Sequence, residues 1–120
     1  MELKFVASAK PKQVEPVIQR RQKLVMRIDQ QIGYVRQMIA GKPQQAAWAR
    51  LDEDGCYVLP IKYGRQQIEL KKGMFAVQCT DLDQVEAALC SIRTMIGQGD
   101  FDDQLAKVSA AIRAKFKART

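Results

Sequence analysis

The chain has 120 residues, 47% apolar and 28% charged, the balance of one globular domain over residues 1–120 rather than of a disordered chain. Its 20 Lys and Arg outnumber 13 Asp and Glu, for a net charge of +7, and histidine is absent, which excludes every triad or zinc site that needs an imidazole. No run of about 18 apolar residues is present to cross a bilayer, and Met1-Glu-Leu-Lys-Phe-Val6 lacks the apolar core of a signal peptide, so a cytoplasmic protein is expected.

Residues 3–9 read as a short extended segment, Leu3, Phe5 and Ala7 alternating with Lys4, Val6 and Ser8. Pro11 and Pro16 bracket a loop, and Pro16 suits a first helical turn, where a missing N–H costs nothing. From Val14 to about Ala40, Val14, Ile18, Val25, Ile28, Ile32, Val35 and Ile39 recur at spacings of three and four, with Val17, Leu24 and Met38 widening the stripe. This predicts an amphipathic helix of about seven turns, weakened locally at Gly33 and ended by Gly41 and Pro43. The stripe suits packing on a sheet. It also suits a homodimer whose seam includes Ile18, Val25, Ile28, Ile32 and Val35. Arg21 is the one charge in it, and an unpaired buried guanidinium is costly. Its stem is therefore expected on the core, with its head either snorkelling to the helix margin or paired with a carboxylate.

Residues 46–79 read as strands: Trp48–Leu51, Cys56–Tyr63, Gln67–Lys71 and Met74–Cys79, separated by Asp52-Glu-Asp-Gly55, Gly64-Arg65 and Lys72-Gly73. The expectation is a four-stranded antiparallel meander, with Pro60 placing its strand at an edge or on a bulge. Thr80-Asp-Leu-Asp83 suits a capping box for a helix whose stripe is Leu82, Val85, Leu89, Ile92 and Ile96, ended by Gly97-Gln-Gly99. Asp100 or Asp102 is expected to cap a last helix with the stripe Phe101, Leu105, Val108, Ile112 and Phe116, whose Lys115-Phe-Lys-Ala-Arg119 end suits the negative end of a helix dipole. The predicted class is α+β: a long N-terminal amphipathic helix, the meander, and two C-terminal helices packed on one sheet face.

The catalytic inventory is thin. Serine occurs only at Ser8, Ser91 and Ser109, with no nucleophile elbow, and no phosphate-binding glycine loop is present. The carboxylates Asp52, Glu53 and Asp54 read as a solvated hairpin tip, and Asp100, Asp102 and Asp103 as a helix start, before either reads as a metal site. Cys56, Cys79 and Cys90 are odd in number and form no C-x-x-C pair, so they read as small buried thiols rather than a disulfide framework. No enzymatic activity, cofactor or metal is expected.

The charge is segmented. Residues 1–50 carry a net +7, residues 51–106 a net −5 and residues 107–120 a net +5. Head and tail can fold back on the acidic middle, or lie together as one positive surface for a polyanion. Arg20, Lys23 and Arg27 share a helical face that Tyr34 continues, with Gln19, Gln22 and Gln30 beside it, and guanidinium forks and amides suit phosphate oxygens. The strands offer Trp48, Tyr57, Tyr63 and Phe75 near Arg50, Lys62, Arg65, Lys71 and Lys72, a mixture suited to stacking and backbone attraction on single-stranded nucleic acid. Tyr57 and Tyr63 share parity with Leu59 and Ile61, so their rings are expected to face the core. The nucleic-acid-binding residues are thus expected to be Arg20, Lys23, Arg27, Tyr34, Arg50, Lys62 and Arg65.

Strands followed by a helix, with Gly64-Arg-Gln-Gln-Ile-Glu-Leu70 leading on, resemble in topology the single-strand-binding fold of transcriptional coactivators and Whirly proteins. Leu3-Lys-Phe5, Pro16, Arg20-Arg21, Lys23-Leu24, Tyr63-Gly64, Ile68-Glu-Leu70, Lys72-Gly73 and Gly99-Asp-Phe-Asp102 resemble a family of uncharacterised small proteins from bacteria and their phages. The chain departs from that pattern between the first helix and Trp48, where the family has a longer Lys/Pro-rich insert. The resemblance implies a phage or mobile-element setting and assigns no residue role. The expected function is a small non-enzymatic binding protein with nucleic acid as partner. The alternative is a protein–protein module, such as an inhibitor of a host or defence complex, presenting Asp52-Glu-Asp54 and Asp100-Phe-Asp-Asp103 as its acidic surface.

Overall fold

The computed structural model describes Leu3 and residues 15–118. The extended segment expected at 3–9 (Leu3 apart), Val14, the side chains of Phe116 and Lys117, and Arg119 lie outside the described residues.

Helix α1 (Pro16–Ile39) begins with Pro16 in its first turn and ends on a Schellman pair, Gly41 N–H donating to the Met38 carbonyl (3.0 Å) and Lys42 N–H to that of Gln37 (2.9 Å). Its buried line is Leu24, Ile28, Gln31, Ile32 and Val35. The expected stripe is therefore rotated: Leu24 lies at its centre, while Ile18 and Ile39 are exposed. Length explains the ends. At 1.5 Å per residue the 24-residue helix outruns its 16-residue partner, α2 (Leu82–Gly97), by roughly 12 Å.

The two helices run antiparallel, as their ion pairs require: Arg36 Nε lies 3.0 Å from Glu86 and Arg93 Nε 2.8 Å from Asp29. Between them Val85, Leu89, Ile92 and Ile96 are buried against the α1 line, each worth roughly 1.5–3 kcal/mol of transfer free energy. The cap of α2 sits one residue later than expected. Asp81 accepts from the Gln84 N–H (2.8 Å), and Gln84 Oε1 accepts from the Thr80 N–H (2.8 Å).

The strands do not form one meander. β1 (Arg50–Leu51), β2 (Tyr57–Pro60) and β5 (Ala76–Cys79) make a three-stranded antiparallel sheet in the order β1-β2-β5, and β3 (Lys62–Tyr63) and β4 (Gln66–Gln67) make a separate hairpin. The cause is Pro60. The run from Cys56 to Tyr63 breaks after it, because proline has no N–H with which to continue a ladder. The first half of the run pairs with β5, Leu59 opposite Val77 and Pro60 opposite Ala76. The second half turns away and pairs with β4, the hairpin extended by the Ile68 N–H donating to the Ile61 carbonyl (2.8 Å). Pro60 thus ends the central strand of the sheet and does not mark an edge.

Helix α2 lies on β2 and β5, whereas α3 (Asp102–Ala118) packs on α1, so only one of the C-terminal helices covers the sheet face. Phe101, Leu105 and Val108 are buried and Ile112 is half-buried, as their spacing predicts. The core joins all three helices to the strands through Leu24, Ile28, Leu59, Ile61, Ile68, Leu89 and Leu105. Of the residues expected in a homodimer seam, Ile28, Ile32 and Val35 are buried within one chain, Val25 is half-buried and Ile18 is exposed.

Candidate functional site

Arg21 decides how the basic tail meets the basic head. Its guanidinium does not snorkel; it donates to both carboxylate oxygens of Asp102, Nε to Oδ1 at 2.8 Å and Nη2 to Oδ2. This fork-to-fork pair fixes the start of α3 to the first turns of α1. Asp102 is therefore in the first turn of α3 as an ion-pair partner and not as a cap. The Arg21 hydrogen bond, helped by the charges of Arg21 and Arg20, holds the Asp102 carboxyl below the usual carboxylate range, against the desolvation that opposes it. Gly99 makes room for the pair. Its φ of +89° suits glycine, and a Cβ there would fall 2.7 Å from Arg21 Nη2 and 3.0 Å from Asp102 Oδ2.

From this anchor α3 runs beside the polar face of α1, and the turn of the β3–β4 hairpin closes the third side. A Cβ on Gly64 would sit 3.3 Å from Ile112 Cδ1, so the turn and α3 are in close contact. The three elements enclose an open groove of about 600 Å³. Lys23 and Arg27 come from α1, Arg113 and Ser109 from α3, Tyr63 and Gly64 from the hairpin, with Met26, Gln30 and Ile112 between them. No carboxylate is among these residues. Among the described residues none of the three cations takes part in an ion pair, whereas Arg21, Arg36 and Arg93 all do. Arg27 Nη1 makes a long contact of 3.4 Å to Gln30 Oε1.

The residues expected to bind nucleic acid are not all brought together. Lys23 and Arg27 line the groove. Arg20 is half-buried, with its Nε enclosed and without a hydrogen-bond partner, and its charge acts on Asp102. Tyr34 is half-buried farther along α1, beyond the groove lining. Arg65 is exposed and directly follows Gly64, but is not among the residues that line the groove. Lys62 is on the opposite side of its strand from Tyr63. Arg50 lies on the edge strand β1, donating to the Gln45 carbonyl at 3.1 Å.

Arg113 and Ser109 were not singled out from the sequence. The signal that could have found them is their position, each one residue after a member of the α3 stripe, Val108 and Ile112, hence on the flank of a buried face.

Trp48 and Tyr57 pack against the core and offer no stacking platform on the sheet; Tyr63, in the separate hairpin, also packs against the core but lines the groove, and Phe75 is exposed. Asp52 closes its hairpin, accepting at Oδ1 from the N–H groups of Asp54 and Cys56, both at 2.9 Å. Among the described residues no three metal-ligating side chains come together, and no helix is long and apolar enough to cross a membrane. The three thiols are free. Cys79 is buried, which raises its pKa, but Cys56 is only half-buried and Cys90 is exposed, against the expectation for all three.

No family model, curated protein or solved structure matches the chain.

Proposed function

We propose that the protein is a small non-enzymatic nucleic-acid-binding protein that holds backbone phosphates in the groove between α1, α3 and the β3–β4 turn. One observation carries this reading. Lys23 and Arg27 from the basic head and Arg113 from the basic tail line a single concave surface with no carboxylate among its described residues. Cations held together without counter-charges create a positive potential, focused by the low-dielectric walls of a cleft. Gln30 and Ser109 add uncharged hydrogen-bonding groups suited to phosphate or sugar oxygens. The phage-family motifs imply a setting in which a small binding protein of this kind fits.

Fluorescence anisotropy with labelled single- and double-stranded oligonucleotides tests the reading. Three neutralised phosphates give a log–log salt slope of about −2.1 on a single strand and about −2.7 on a duplex, so affinity should fall roughly 20- to 40-fold between about 50 and about 200 mM salt. Absence of binding at the lower salt would overturn it.

A further inference from the structure

We infer that the groove takes an unpaired nucleotide strand, with one base lodged against Tyr63 and Ile112 and the adjoining phosphates on Lys23, Arg27 and Arg113. This rests on the function proposed above and adds the form of the nucleic acid.

Shape is the first argument. A helix that reads duplex DNA must enter the major groove with its sides clear. The face of α1 that carries Lys23 and Arg27 is flanked by α3 at Ser109 and Arg113 and by the hairpin turn at Tyr63 and Gly64. These walls stand where the rims of a duplex would have to pass. The groove's volume of about 600 Å³ is instead that of a small-molecule site, room for roughly one or two nucleotides.

The lining is the second argument. A surface made only for phosphates needs cations and amides. Here Tyr63, Met26 and Ile112 lie among the cations, and Met26 is 66% exposed. Tyr63 packs against the core and also lines the groove, so its side chain is held in place at the groove wall before a base arrives. A rigid aromatic beside cations is the combination that holds single strands by stacking and backbone attraction. A duplex hides its base faces and gains nothing from such a wall. An acidic peptide would satisfy the cations but leave the aromatic wall unused.

The test compares anisotropy of a short labelled oligothymidylate with an abasic oligomer of the same length and charge and with a blunt hairpin duplex, with polyglutamate as competitor. The expected result is binding of oligothymidylate roughly tenfold or more tighter than the abasic strand, weaker binding of the duplex, and poor displacement by polyglutamate. Equal binding of all three nucleic acids overturns this inference and leaves the phosphate-binding function standing; no binding of any of them overturns both. Displacement by polyglutamate as efficient as by oligothymidylate also overturns it. Tyr63→Leu should bring the preference for oligothymidylate over the abasic strand down to about twofold or less; a preference kept in full would contradict a base lodged against Tyr63. Should that variant fail to fold, Met26→Glu at an exposed position places a carboxylate in the groove. It should weaken oligothymidylate binding at least tenfold, and unchanged affinity would contradict the proposal.

Discussion

Gln31 is the buried polar residue of the described core, 5% exposed, on a helix line otherwise made of Leu24, Ile28, Ile32 and Val35. Its amide satisfies the loop that crosses α1: Nε2 donates to the Ala46 carbonyl at 3.2 Å and Oε1 accepts from the Trp48 N–H at 2.7 Å. Nothing local in the sequence singles Gln31 out, because nothing announces that residues 46–48 will need two backbone groups satisfied. Gln31→Leu, which extends the apolar line, is therefore expected to destabilise by about 1–3 kcal/mol in urea unfolding, the cost of stranding a backbone donor and acceptor; an unchanged or higher midpoint would contradict the role. Arg21 was legible as an anomaly, a charge inside an apolar stripe, but its partner lies 81 positions away at Asp102. The pairing has a pH signature. Asp102 titrates below the ordinary carboxylate value, so the pair's contribution to stability is complete above the unfolded pKa of about 3.9 and is lost as pH falls through the lowered native value. Arg21→Leu should lower Tm at neutral pH by more than Arg93→Leu, whose ion pair with Asp29 is half exposed. The gap between Arg21→Leu and wild type should narrow as the solution is taken well below pH of about 4. A gap independent of pH would mean that lost packing and not charge is responsible.

At the scale of elements, helices were more legible than strands. Periods of 3.6 and local caps place α1, α2 and α3 within a few residues of where they lie, because the information is contained in each segment. Strand pairing is not local. The alternation in Cys56–Tyr63 and Met74–Cys79 shows two extended runs but does not say that β5 pairs with the half of the run before Pro60 and β4 with the half after it. Only Pro60 hinted at the break. The resulting hairpin matters because its turn is a wall of the groove, and Gly64 is the contact: φ is +65° and Ile112 Cδ1 is 3.3 Å from a Cβ built there. Gly64→Ala should cost about 1–2 kcal/mol for the left-handed backbone alone, with an added loss from pushing on α3. Gly73→Ala, also at positive φ but with nothing within 4 Å, supplies the comparison. Equal destabilisation in the two variants would mean that the turn does not bear on α3.

Across the whole molecule, the segmented charge posed two outcomes, and both occur in different places. Arg21 and Arg36 of the head pair with Asp102 and Glu86 of the acidic middle, and these pairs hold α3 and α2 onto α1. Lys23 and Arg27 of the head instead meet Arg113 of the tail. The sequence could supply the charge totals but not this division, since which cations are neutralised depends on the orientation of α3, which the Arg21–Asp102 pair sets. The most direct measurement is therefore the salt dependence of oligonucleotide binding in single charge variants. Each lost phosphate contact should reduce the slope by about 1, so Lys23→Gln, Arg27→Gln and Arg113→Gln should each bind more weakly and with a shallower slope. Arg93→Gln, which removes an equal charge from the α1–α2 seam, should leave the slope unchanged. If all four variants lose affinity and slope alike, the attraction belongs to net charge and the groove is not the binding site.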